Sequence, residues 1–222
     1  MRSNVRSCSG WRLYVIVDSA AIGRRDPAEV ASAAIRGGAD VLQLRDKSAS
    51  TRQLLDMAAR LLPHTRSAGI PLVINDRVDV AVAVGADGVH LGQDDLPVEA
   101  ARGLLGPERL IGKSTHSVEQ ATTAESEGVD YIGFGPIFPT PTKPDYQGVG
   151  LDLLRQAARD IHVPMVCIGG IDISNLETVV NAGAERVAVV RAVCAAADPE
   201  AAARALKHRL EQLIRPRVPS SL

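Results

Sequence analysis

Gln43, Arg45 and Lys47 stand two residues apart in the run Gln43-Leu44-Arg45-Asp46-Lys47. On an extended backbone that spacing turns all three toward one face. An amide and two cations converging there can hold a phosphate or a diphosphate. The plainer alternative is a charged strand end reaching into solvent. Further along are Asn75-Asp76 and Gly92-Gln93-Asp94-Asp95. If the fold joins Asp76 to Asp95, their carboxylates are the hard oxygen ligands that Mg²⁺ takes, with diphosphate and water completing the octahedron. Asp94 reads instead as a turn or cap residue.

The run Lys113-Ser114-Thr115-His116 offers a hydroxyl, Ser114, that can donate to a phosphate oxygen or merely cap the next helix. His116 reads as a structural histidine rather than a proton carrier. A proline-rich stretch from Gly135 to Pro144 carries Thr140, Pro141, Thr142 and Lys143, and running on to about Gly150 it suits a lid. Gly169-Gly170 and Val190-Arg191 are a second place where backbone could approach an anion. Two anion sites, one beside a metal, suggest two phosphorylated substrates and hence a transferase.

Such residues need elements that carry them to one place. Short apolar, β-branched runs predict eight strands, at Leu13–Asp18, Val41–Asp46, Pro71–Asp76, Gly88–Gly92, Leu110–Ser114, Tyr131–Gly135, Pro164–Gly169 and Arg186–Val190. Helical patterns alternate with them, among them Pro27–Arg36 behind an Asp26 cap and Thr51–Ser67. Val78–Val84 fits a helix or a strand. Gly38-Ala39-Asp40, Gly85-Ala86-Asp87, Gly128-Val129-Asp130 and Gly183-Ala184-Glu185 precede the even-numbered strands and read as helix-closing turns. The pattern predicts a single (β/α)₈ TIM barrel over residues 1–222, with 1–11 and 215–222 as loose ends. An open doubly wound sheet is the alternative. In a barrel the runs at Gln43–Lys47, Asn75-Asp76, Gly92–Asp95, Lys113–His116, Gly135–Pro144, Gly169-Gly170 and Val190-Arg191 all lie at C-terminal strand ends, where such folds keep their active sites, and the glycine–acid turns lie at the opposite face.

Composition narrows the function classes. With 222 residues, 45% apolar and 23% charged, at a formal net charge of −1, the chain has neither the basic excess of a general nucleic-acid binder nor that of a membrane-surface binder. No apolar run reaches the length of a membrane span. The three cysteines, Cys8, Cys167 and Cys194, form no Cys-x-x-Cys pair, which favours buried thiols and a cytoplasmic setting. A homo-oligomer is compatible with all of this.

Taken in order, Gln43–Lys47, Asn75-Asp76, His90-Leu91-Gly92-Gln93-Asp94-Asp95, Gly135–Lys143 and Cys167-Ile168-Gly169-Gly170-Ile171 resemble the thiamine phosphate synthase (thiamin-phosphate pyrophosphorylase) family from Leu13 to about Leu213. The resemblance implies coupling of 4-amino-5-hydroxymethyl-2-methylpyrimidine diphosphate to a thiazole phosphate or its carboxylated form. It implies that Gln43, Leu44, Arg45, Asp46, Lys47, Asn75, Ser114 and Lys143 contact the pyrimidine diphosphate, with Arg45, Lys47 and Lys143 carrying the catalysis. Asp76 and Asp95 would bind Mg²⁺. Thr140, Pro141, Thr142, Gly170, Val190 and Arg191 would hold the thiazole phosphate. Arg191 departs from the small hydroxyl residue of several members, which leaves its side chain without an assigned role. A thiazole tautomerase and a non-catalytic phosphate-ligand sensor are the competing readings on the same barrel.

Overall fold

The computed structural model describes residues 8–140 and 147–214. Eight parallel strands close on themselves in sequence order: β1 Leu13–Asp18, β2 Val41–Arg45, β3 Leu72–Asn75, β4 Gly88–Leu91, β5 Leu110–Thr115, β6 Tyr131–Phe134, β7 Met165–Ile168 and β8 Val187–Val189. β1 pairs with both β2 and β8, which completes the ring and rules out the open sheet. The helices are α1 Ser19–Ile22, α2 Pro27–Arg36, α3 Thr51–Ala68, α4 Val78–Val84, α5 Val98–Leu105, α6 Val118–Ser126, α7 Gly150–Asp160, α8 Leu176–Asn181, α9 Arg191–Cys194 and α10 Pro199–Leu213. Val78–Val84 is therefore helical. The four-residue helices α1 and α9 lack the repeat length that would announce them in sequence.

Alternation within the strands sorts the side chains into two cores. Leu42, Leu44, Leu72, Ile74, Val89, Leu91, Ile132, Phe134 and Val187 face outward and pack under the helices. Tyr14, Ile16, Val41, Val73, Leu110, Tyr131, Val166 and Ala188 fill the barrel interior. Trp11 joins this inner core, stacking on Tyr14 at 6.2 Å and meeting Tyr131 edge-on at 5.4 Å. Cys8 and Trp11 are 2% and 6% exposed, so residues 8–11 are no loose end. The large indole reaches apolar surface inside the barrel that the strands alone leave uncovered. Residues 1–7 and 215–222 lie outside the described residues.

The glycine–acid turns do more than end helices. Gly38, Gly85, Gly128 and Gly183 all take positive φ. Asp40 accepts from the Arg12 and Leu13 amides, Asp87 from the Leu72 amide and Asp130 from the Ile111 amide, each at 2.8–2.9 Å. The acid in front of an even strand thus caps the first amides of the odd strand before it. Glu185 does not follow this pattern; it is exposed and pairs with its neighbour Arg186 at 3.1 Å.

Candidate active site

The C-terminal strand ends surround a cavity of about 450 Å³, within the range of small-molecule sites. Gln43, Arg45, Asn75, Ser114, Thr140, Gly170, Val190 and Arg191 all line it. They come from strands or loops spread around the ring, so the barrel's closure is what gathers them.

β2 presents Gln43 and Arg45 inward. Gln43 is 1% exposed and donates through Nε2 to the Tyr14 hydroxyl at 2.8 Å. Arg45 is bound to Asp18, its register partner at the end of β1. Asp18 is buried and also accepts from the Ala20 amide at 2.9 Å, which caps α1. The strand stops at Arg45, so the alternation does not carry Lys47 to the same wall. Lys47 is exposed and pairs with Asp76. Leu44 points the other way, into the helix-facing core, and only its backbone can face the mouth. Asp46 is a turn former. It accepts from the Ser48 amide at 2.8 Å and the Ala49 amide at 2.9 Å. Burial works against its charge, but hydrogen bonds from Ser19, Ser48 and Ala49 hold its carboxyl below the usual range.

Asp76 and Asp95 do meet. Asp76 follows Asn75 at the end of β3, and its amide donates to the His90 carbonyl at 2.8 Å. Its φ of 61° is the only positive value at a non-glycine among the described residues. Aspartate tolerates this conformation better than most side chains. Asp95 accepts from the Gly92 amide at 2.6 Å. Its carboxyl is raised above the ordinary range, first by burial and then by Asp76 beside it. Two carboxylates held against their mutual repulsion, with one lysine, make a donor set suited to a hard divalent cation. Among the described residues no third histidine, cysteine or acid joins a metal-ligating group.

Across the mouth, Ser114 lies 2.9 Å from His90 Nε2. His116 Nδ1 is bonded to the Gly135 carbonyl, beside the cis peptide Gly135–Pro136. The stretch after β6 then folds over the end of β7: the Ile137 amide donates to Ile168 at 2.8 Å and the Phe138 amide to Gly169 at 3.0 Å. A Cβ on Gly169 would sit 2.3 Å from Pro136, and one on Gly170 2.8 Å from Phe138. The close approach that these glycines permit is therefore first of all that of the chain's own loop. Thr140 reaches the cavity; Pro141, Thr142 and Lys143 lie outside the described residues, as does the middle of the expected lid. Arg191 is exposed on the cavity wall, with no ion-pair partner among the described residues.

Sequence reasoning missed four residues. Asp18 was visible as an acid closing an apolar strand. Tyr14, His90 and Tyr131 sit inside strands, at positions that become inward-facing only once the register is known.

A family model described as thiamine monophosphate synthase matches residues 13–193. The chain belongs to this family. It is a transferase of thiamine biosynthesis. The "Thiamine-phosphate synthase" of Roseiflexus sp. (strain RS-1) is 50% identical over 198 residues, 89% of this chain and 84% of the relative. That of Chloroflexus aurantiacus is 52% identical over 198 residues, 89% of this chain and 91% of the relative. Among solved structures, the thiamine phosphate pyrophosphorylase from Pyrococcus furiosus superposes with a TM-score of 0.84 at 38% identity, covering 91% of this chain and 96% of that one. The family match spans every strand of the barrel, from Leu13 in β1 to Val189 in β8.

Proposed function

We propose that the mouth joins 4-amino-5-hydroxymethyl-2-methylpyrimidine diphosphate to a thiazole phosphate, releasing diphosphate. The observation that carries this reading is the convergence of the Asp76–Asp95 pair and Lys47 on the rim beside Asn75 and Arg45. In the reaction the methylene C–O bond breaks and the electron pair leaves with diphosphate. The aminopyrimidine stabilises the resulting cation, and the thiazole nitrogen donates its lone pair to form the C–N bond. No protein nucleophile is required.

The chain's work is to position two substrates and to offset charge that grows on the leaving group. Arg45, held by Asp18, and Lys47, an exposed side chain paired with Asp76, face that charge; Lys143 is assigned to the same task. Asp76 and Asp95 would hold Mg²⁺, which when bound supplies positive charge to the diphosphate oxygens. Gln43, Asn75 and Ser114 address the pyrimidine. Thr140, Gly170, Val190 and Arg191 address the thiazole phosphate, together with Pro141 and Thr142.

The test supplies both substrates with Mg²⁺ and measures thiamine phosphate. Product is expected. A folded chain that yields none beside an active relative would overturn the reading. Asp76→Asn and Asp95→Asn preserve the local backbone and should raise the Mg²⁺ needed for half-maximal rate by about tenfold or more. An unchanged Mg²⁺ titration would remove the pair as ligands.

A further inference from the structure

Along the floor of the cavity a continuous line of polar side chains crosses the barrel interior. Gln43 Nε2 donates to the Tyr14 hydroxyl at 2.8 Å. The Tyr14 and Tyr131 hydroxyls are 2.9 Å apart. Tyr131 is 3.1 Å from His90 Nδ1, and His90 Nε2 is 2.9 Å from Ser114 Oγ. The line begins at one residue of the mouth and ends at another, and all five of its residues line the cavity.

Its polarity follows from the first link. Because Gln43 donates, Tyr14 uses a lone pair there and its own proton goes to Tyr131. Tyr131 then donates to His90 Nδ1. A histidine that accepts at Nδ1 carries its proton on Nε2, so His90 donates to Ser114. The serine proton is left for the cavity. At the other end Gln43 Oε1 takes no bond within the described residues. No buried side-chain polar atom among them is unpartnered, so this oxygen opens on the cavity that Gln43 lines. Burial pushes both phenols above the ordinary tyrosine range, which keeps each a donor.

The strands make room for this arrangement. A Cβ on Gly112 would lie 2.1 Å from Tyr131 Cζ and 2.6 Å from His90 Nδ1. A Cβ on Gly133 would lie 3.1 Å from His90 Cε1. Two inward glycines on adjacent strands thus admit the ring pair that links the halves of the line.

We propose that Tyr14, Tyr131 and His90 are positioning residues, a one-way hydrogen-bond relay that presents the Gln43 carbonyl oxygen and the Ser114 hydroxyl proton to the ligand and selects an amino-substituted over an oxo-substituted pyrimidine. The selectivity rests on the proposed pyrimidine site; the polarity does not. An amino N–H can donate to Gln43 Oε1, whereas an oxo group would set oxygen against oxygen. Removing the Tyr131 hydroxyl takes away the acceptor of the Tyr14 proton, which is then free to be donated to Gln43 Oε1. The Gln43 amide can then turn over and meet either ligand.

The first measurement is ¹⁵N NMR of the ligand-free chain, with the His90 signal assigned by its loss in His90→Gln. Neutral His90 protonated at Nε2 is expected. Protonation at Nδ1, or at both nitrogens at neutral pH, would overturn the relay. The second measures binding of the 4-amino and 4-oxo forms of the 5-hydroxymethyl-2-methylpyrimidine monophosphate. The unaltered chain should prefer the amino form by at least about tenfold, and a folded Tyr131→Phe should lose most of that preference. A preference that survives in Tyr131→Phe counts against the relay. If neither compound binds, the pyrimidine assignment fails and the tautomer alone decides the polarity.

Discussion

Arg45 and Lys47 carry the same charge but stand in different surroundings, and substitution should separate them. Lys47 is exposed on the rim, so Lys47→Ala should lower kcat by about 10²-fold and leave the melting temperature unchanged. Arg45 is half-buried against Asp18, itself 2% exposed. Arg45→Ala leaves a buried carboxylate without its cation, which costs about 3–5 kcal/mol of stability besides the rate. Asp18→Asn in the same chain should restore most of the stability and none of the rate. Thermal melts and steady-state rates on the three variants check this; equal melting temperatures for Lys47→Ala and Arg45→Ala would contradict it. The cationic run was legible as a run. That one of its cations is anchored by the preceding strand was not, because Asp18 and Arg45 lie 27 residues apart and meet only through register.

Two adjacent glycines at the end of β7 do the work of an element boundary. Gly169 has φ 105° and a Cβ there would meet Pro136 at 2.3 Å. Gly169→Ala should therefore cost about 1–3 kcal/mol from overpacking, with backbone strain added, and should displace the Pro136–Thr140 stretch that reaches the cavity. Denaturant unfolding and the KM for the thiazole phosphate should both move. Stability lost without any change in KM would show that the stretch does not shape that subsite. The Gly-Gly signal was readable in the sequence as a close approach. Whether the approaching group is a phosphate or the chain's own loop depends on where the segment after β6 runs, and proximity in three dimensions decides that.

Across the whole molecule, burial sets the chemistry of the thiols. Cys8, Cys167 and Cys194 are buried thiols outside any disulfide, and burial pushes each up to about 12. The unfolded value is about 8.5, so the folded state holds these protons more tightly. The resulting stability is fully present below about pH 8.5 and is lost as pH rises toward 12. Denaturant midpoints should be flat with respect to these groups from pH 7 to 8 and fall above pH 9, less steeply in Cys167→Ala than in the parent. Iodoacetamide at neutral pH should label none of the three in the folded chain and all three in denaturant. Rapid labelling of a folded thiol would contradict the burial that underlies the prediction.

The strand count, the alternation with helices, the glycine–acid turns and the order of the polar strand ends were all present in the linear sequence. They follow from local rules, the period of two in a strand and the left-handed turn after a helix, and these need no partner to be read. Tertiary structure decided the rest, because the remaining properties belong to pairs. Asp76 became half of a carboxylate pair only when β3 and β4 aligned, Trp11 became part of the inner core only when the barrel closed, and Leu44 left the mouth because β2's pleat turns it under the helices. Tyr14 and Tyr131 carry no signal along the chain, and His90 opens a motif without a role of its own. Parallel register around a closed ring is what lines them up between Gln43 and Ser114.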